Sequence, residues 1–142
     1  MAYDPQNVFA KILRGELPCI KVHEDELTLA FMDIMPQSDG HALVIPREAA
    51  EGILDVSEAG LLACIRLTQR IARAVKTAMD VPGLLIAQTN GAAAGQTVPH
   101  LHFHIIPRRP GDPLLLHAST LADPEKLKGF AARIIAALEN TP

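Results

Sequence analysis

The chain has 142 residues, 49% of them hydrophobic and 20% charged, and carries a formal net charge of −3. That size and composition fit one globular domain, residues 1–142, able to bury its own core. The acidic balance gives no broad basic field and no apolar run is long enough to span a bilayer, so neither a nucleic-acid polymer nor a membrane is an expected partner.

Met1 to Asn7 has no basic stretch followed by an apolar one, so no signal peptide is expected. Asn7 is placed to cap a short helix with Val8, Phe9, Ile12 and Leu13 on one side, ended by Gly15 and Pro18. Cys19 to His23 and Leu27 to Met32 read as strands flanking the turn Glu24-Asp25-Glu26. Cys19 and Cys64 lack paired spacing, which fits two reduced, buried thiols in a cytoplasmic protein. Asp33 to Gly40 is a loop, and His41 to Ile45 a third strand closed by Pro46. Asp55, with Glu58 three residues on, starts the longest helix in a capping-box-like pattern. Its predicted apolar stripe is Leu61, Leu62, Ile65, Thr68, Ala72, Val75 and Met79, with Arg66, Arg70, Arg73 and Lys76 toward water. Pro82-Gly83 stops it. Gly83 to Gln88 and Pro99 to Ile106 are the fourth and fifth strands, and Asp123 and Pro124 open a terminal helix with Leu127, Phe130, Ala131, Ile134 and Leu138 at helical spacing. The order of elements predicts an α+β domain: a five-stranded antiparallel sheet with a long helix and a C-terminal helix on one side.

Within the fifth strand, His100, His102 and His104 alternate with Leu101, Phe103 and Ile105. Extended backbone puts such rings about 7 Å apart on one face, with the apolar residues on the other. A chain of this composition places three histidines so by chance roughly one time in a hundred. Three readings follow: a histidine-rich polar face, a metal site that His41 completes from a neighbouring strand, and a catalytic cluster. No Asp, Glu or Cys lies near the triple in sequence to complete a mixed metal shell.

The run Asn90-Gly91-Ala92-Ala93-Ala94-Gly95-Gln96-Thr97 leads into these histidines. Its glycines let backbone N–H groups approach a phosphate, and Asn90, Gln96 and Thr97 add neutral hydrogen-bonding groups. A neutral imidazole is a competent nucleophile for phosphorus near pH 7, and flanking imidazoles can donate to nonbridging oxygens and the leaving group without a metal. The middle ring, His102, has partners on both sides.

The run from His100 to Ile106 resembles the motif of the histidine triad (HIT) family, in which three histidines alternate with apolar residues and two apolar residues close the motif. The similarity extends over residues 7 to 109: Val8 to Pro18, Leu29 to Pro36, Gly40 to Pro46 and Asn90 to Val98. The front half is Hint-like, and His104-Ile105-Ile106-Pro107-Arg108 also resembles the Fhit-like branch. The resemblance implies a hydrolase or nucleotidyltransferase acting at the α-phosphate of a purine nucleoside phosphoramidate or dinucleoside polyphosphate. His102 would become nucleotidylated, oriented by the His100 carbonyl. His104 and Thr97 would meet the phosphate and leaving group, His41 would support them, and Asn90 and Gln96 would bind the phosphate region. Asp33 would take the ribose hydroxyls, and Val8, Phe9, Ile12, Phe31 and Ile34 would wall the base. It also implies a homodimer and no cofactor. Some bacterial relatives bind a structural zinc through cysteines around the first helix; Val8 and the residues beside Ala10 stand there, so no metal is expected. Two other readings stay open: a nucleotide-binding interaction protein with incidental turnover, and a histidine-ligated metalloprotein. Arg108 and Arg109 can clamp further phosphates or serve as solvated surface charge. His23 and His117 have no motif context.

Overall fold

The computed structural model describes residues 2–113 and 120–140, so His117 lies outside the described residues. Asn7 caps α1 (Val8–Leu13), its side-chain oxygen accepting the Ala10 N–H. β1 (Lys21–Glu24) and β2 (Thr28–Met32) form a hairpin whose turn Asp25 holds by accepting the N–H groups of Leu27 and Thr28 and the Thr28 hydroxyl. β3 (Ala42–Pro46), β4 (Gly83–Ala87) and β5 (Phe103–Arg108) complete an antiparallel sheet in the order β1-β2-β3-β5-β4. α2 (Glu58–Met79) lies against this sheet and α3 (Pro124–Glu139) packs along α2 and β1, the expected α+β arrangement.

Alternation along the strands separates two apolar clusters, one on each face of the sheet. Ala30, Met32, Ala42, Val44, Phe103 and Ile105 pack with α2 and α3. Leu29, Phe31, Leu43 and Ile45 face the other way, beneath Phe9 of α1, with Ile12 and Leu13 packed against them. Cys64 belongs to the first cluster and half-buried Cys19 to the second, and both are free. Burial pushes the Cys64 thiol up to about 12.

Three sequence expectations need correction. Ser57, not Asp55, caps α2, its hydroxyl accepting the Gly60 N–H. Asp55 instead accepts from Glu51 and Gly52, tightening the turn before the helix. The buried stripe of α2 is also rotated: Cys64, Leu67, Ile71, Ala74 and Val75 are buried, whereas Leu62 and Ile65 are 48% and 47% exposed. Apolar residues occupy much of the circumference of α2, so periodicity alone does not say which side meets the sheet. Finally, β5 starts at Phe103 rather than Pro99. Pro99 has no N–H to donate, and the Leu101 N–H bonds the Ala50 carbonyl instead of a neighbouring strand. Among the described residues, no helix is long and apolar enough to cross a membrane.

The Thr68 hydroxyl is buried in α2 without a hydrogen-bond partner among the described residues. Replacing an unpaired buried hydroxyl by a methyl of similar shape removes a desolvation cost of about 1 kcal/mol. Thr68→Val is therefore expected to raise the thermal midpoint by about 3 °C, measured by calorimetry.

Candidate active site

His100, Leu101 and His102 reach the sheet just ahead of the β5 ladder, whose first pair with β3 is Phe103 opposite Val44. Alternation survives this detour: Leu101, Phe103 and Ile105 enter the cluster beneath α2 and α3. The imidazoles gather on the α1 side. Phe9 meets His102 edge-on at 5.0 Å between centroids and His100 at 6.4 Å, and His102 lies 4.9 Å from His104.

Hydrogen bonds to main-chain groups assign the ring protons. His102 Nδ1 lies 2.7 Å from the His100 carbonyl oxygen. A carbonyl only accepts, so Nδ1 carries the hydrogen and Nε2 presents its lone pair. His100 Nε2 lies 2.8 Å from the Pro46 carbonyl, so that nitrogen donates and Nδ1 is the acceptor, meeting the Tyr3 hydroxyl at 2.5 Å. On the neighbouring strand, the Gln37 N–H donates to His41 Nδ1 at 3.0 Å. His41 therefore carries its hydrogen on Nε2 and donates it to His104 Nδ1 at 3.0 Å. His104 is left with an Nε2–H and no acceptor for it among the described residues. Two adjacent rings thus present complementary groups, a lone pair on His102 and a donor on His104.

Burial keeps these rings neutral. It pulls His104 down to about 4, helped by the neighbouring His102. It pulls His41 down to about 3, helped by His104 and His102. His100 and His102 are lowered for the same reason, against the raising effect of their carbonyl partners. Asp33 Oδ2 lies 3.4 Å from His41 Nε2, and Oδ1 accepts the Met35 N–H. Burial outweighs that hydrogen bond and raises the Asp33 carboxyl to about 6. With His41 uncharged, this contact is a carboxylate sharing the His41 N–H, not an ion pair, at neutral pH.

Asp33, remote from the triad in sequence, adjoins the histidines in space. Asp33, His41 and His104 offer one ligand atom each within 4.8 Å of one another, spacing that suits a divalent cation. The Gln37 hydrogen bond argues against that use, because it leaves a hydrogen rather than a lone pair on His41 Nε2.

The loop before the triad is braced mainly by its own side chains. Gly91 and Gly95 hold positive φ at the ends of a 3-10 turn, Ala92–Ala94. The buried Gln96 carboxamide accepts the Gly91 N–H and donates to the carbonyls of Glu51 and Val98. Both its N–H bonds are engaged, so Gln96 shapes the loop rather than offering its amide to a phosphate, which corrects that expectation. Asn90 accepts from the Ile53 N–H and pairs reciprocally with the Gln88 amide. Thr97 is exposed. Among the described residues, none of these three hydrogen-bonds a triad ring.

Of the apolar residues expected around a base, Val8 and Ile34 are 48% and 53% exposed, and Ile12 is half-buried. Phe9 is buried against His102, and Phe31 lies deeper, edge-on to Phe9 at 5.3 Å. Phe31 is 3% exposed, so it supports the wall from behind rather than forming its surface. Both arginines are tied to main-chain carbonyls. Arg108 donates to the carbonyls of Asp112 and Pro113, and Arg109 to those of Met79 and Asp80 where α2 ends. His23 sits on the surface 3.2 Å from Asp25. Tyr3 was not anticipated: it precedes the first helix cap and belongs to no motif, and its only signal is being the single tyrosine of the chain.

A family model described as the HIT domain matches residues 14–111. Adenosine 5'-monophosphoramidase hnt1 of Schizosaccharomyces pombe is 41% identical over 101 residues, covering 71% of this chain and 73% of that protein. Adenylylsulfatase HINT3 of Arabidopsis thaliana is 35% identical over 128 residues, covering 90% of this chain and 65% of that protein. The crystal structure of a Hit-like protein involved in cell-cycle regulation from Bartonella henselae matches with a TM-score of 0.91 and 45% identity, over 96% of this chain and 99% of that one.

Burial raises the Asp33 carboxyl to about 6 in the folded protein. The folded state holds the proton more tightly than the unfolded chain does, so this contribution to stability is present below about pH 4 and lost as pH rises through about 6. Asp33→Asn is expected to be about 2 kcal/mol more stable than the parent at pH 7, with the difference closing near pH 4. Urea unfolding at the two pH values measures it; an equal difference at both would contradict the assignment.

Proposed function

Because this chain belongs to the histidine triad (HIT) family, we propose that it hydrolyses a purine nucleoside phosphoramidate or dinucleoside polyphosphate through a nucleotide carried on His102. The observation that carries this reading is the fixed tautomer of that ring, which leaves Nε2 unprotonated on a ring 4.9 Å from that of His104, whose own Nε2 carries a hydrogen. The names of the yeast and plant relatives, an adenosine monophosphoramidase and an adenylylsulfatase, support a nucleotide substrate.

In the first step the Nε2 lone pair bonds to the α-phosphorus, and the bond from phosphorus to the leaving nitrogen or oxygen breaks. His102 becomes cationic as it forms this bond, and the His100 carbonyl on Nδ1–H stabilises that charge. The His104 Nε2–H donates to a phosphate oxygen or the leaving atom. Water then displaces the imidazole, so that overall a hydroxyl goes to phosphorus and a proton to the leaving group. Asp33 accepts from the ribose hydroxyls, with Val8, Ile34 and Ile12 beside the base and the backbone of the 90–97 loop near the phosphate.

The reading includes a homodimer. β4 is an edge strand with Ile86 45% exposed, and Leu62 and Ile65 lie half-exposed on α2. A second copy of the chain would cover the edge and these side chains together. Ile65→Glu is expected to shift the protein to monomer in analytical ultracentrifugation.

Incubation with adenosine phosphoramidate and diadenosine polyphosphates in parallel, following AMP release, tests the chemistry. His102→Ala is expected to lower turnover by at least about a thousandfold while AMP affinity stays within about threefold. EDTA is expected to leave the wild-type rate unchanged. Retained turnover in His102→Ala, or wild-type protein that releases no AMP from either substrate, would overturn the proposal.

A further inference from the structure

We propose that Tyr3 is a positioning residue for His102, acting through His100, so that its hydroxyl supports turnover without touching the nucleotide. This rests on the reading of His102 as the group that attacks phosphorus.

His100 is 0% exposed, and solvent cannot satisfy either ring nitrogen. Pro46 fixes the proton on Nε2, which leaves Nδ1 as a buried acceptor. The Tyr3 hydroxyl, 97 positions away in sequence, supplies the donor. Without that hydrogen bond the nitrogen loses its partner, a costly state in a dry interior. The ring then relaxes by turning, changing tautomer or taking up a proton.

Any of these movements reaches His102 by two short paths. One is covalent: the same residue whose ring Tyr3 holds provides the carbonyl that accepts the His102 Nδ1–H at 2.7 Å. The other is packing: Phe9 lies edge-on to both rings, so a displaced His100 pushes on the residue that seats His102. Once that carbonyl shifts, the proton of His102 is no longer confined to Nδ1. The fraction with a free Nε2 falls, and the rate falls with it. The second pair of rings, His41 and His104, is governed separately by the Gln37 N–H and stays as it is.

Tyr3 also packs edge-on against His100 at 5.6 Å, so it could serve only to pin the N-terminal segment. Tyr3→Phe separates the two roles, because it keeps the ring and removes one oxygen. The experiment compares this variant with the parent protein in AMP affinity, turnover of adenosine phosphoramidate, thermal midpoint and the nitrogen-15 spectra of the imidazoles. Turnover is expected to fall about tenfold, with AMP affinity within about twofold. The His102 spectrum is expected to change from one Nδ1–H tautomer to a mixture, while His41 and His104 keep theirs. Unchanged turnover with an unchanged His102 spectrum would overturn the proposal. So would a fall in turnover matched by an equal loss of affinity and midpoint, which marks a pin. Tyr3→Leu, which removes the ring as well, gives the size of that purely structural loss. The spectra need no turnover, so if the parent protein releases no AMP, the hydrolytic reading fails by itself and the His102 tautomer still decides the role of Tyr3.

Discussion

The hydrogen bond from His102 Nδ1 to the His100 carbonyl is the constraint from which the chemistry of this site follows. A neutral imidazole has one proton and two places to put it, and only one arrangement leaves the outer nitrogen nucleophilic. A backbone carbonyl makes the choice with no ambiguity, because it has no hydrogen to give. In the proposed reaction the same carbonyl would also hold the cation formed when the other nitrogen bonds to phosphorus, so one contact would serve the resting ring and the charged one.

The same device recurs around the site. Main-chain groups of Pro46 and Gln37 decide the protonation of His100 and His41, and His41 passes its hydrogen to His104. Each of these main-chain groups lies in β3 or in the segment before it, where neighbouring strands and the helices behind them hold the backbone. Burial supplies the second half of the arrangement by keeping the four imidazoles uncharged near neutral pH. The site is therefore a set of neutral rings with assigned protons, built at the edge of a cluster that excludes water. Asp33 bears the cost of that dryness: its carboxylate sits beside His41 at the expense of stability, which suits the ribose-binding role proposed for it.

Much of this was legible in the sequence because it depends on periodicity. Alternation across His100 to Ile105 placed the rings opposite the apolar side chains, and the strands, the α1 cap and the start of α3 followed from local chemistry. The phase of α2 was not legible. Leu62 and Ile65 fit a helical stripe as well as Leu67 and Ile71 do, and the sheet decides between them. Nor were the contacts that join distant segments. Asp33 reaches His41 across a loop, Gln96 turns its amide inward to Glu51, and Tyr3 reaches His100 from the start of the chain. Residue type and spacing say which groups a side chain can bond, whereas the fold determines which bond is made.

The most direct measurement is the position of the nucleotidyl group on the protein. Rapid quenching during turnover of adenosine phosphoramidate, followed by peptide mass spectrometry and phosphorus–nitrogen NMR of the adduct, locates the bond. The account predicts an adenylyl group on His102, attached through Nε2. An adduct on His100, His104 or His41, attachment through Nδ1, or turnover with no protein-bound nucleotide would contradict it.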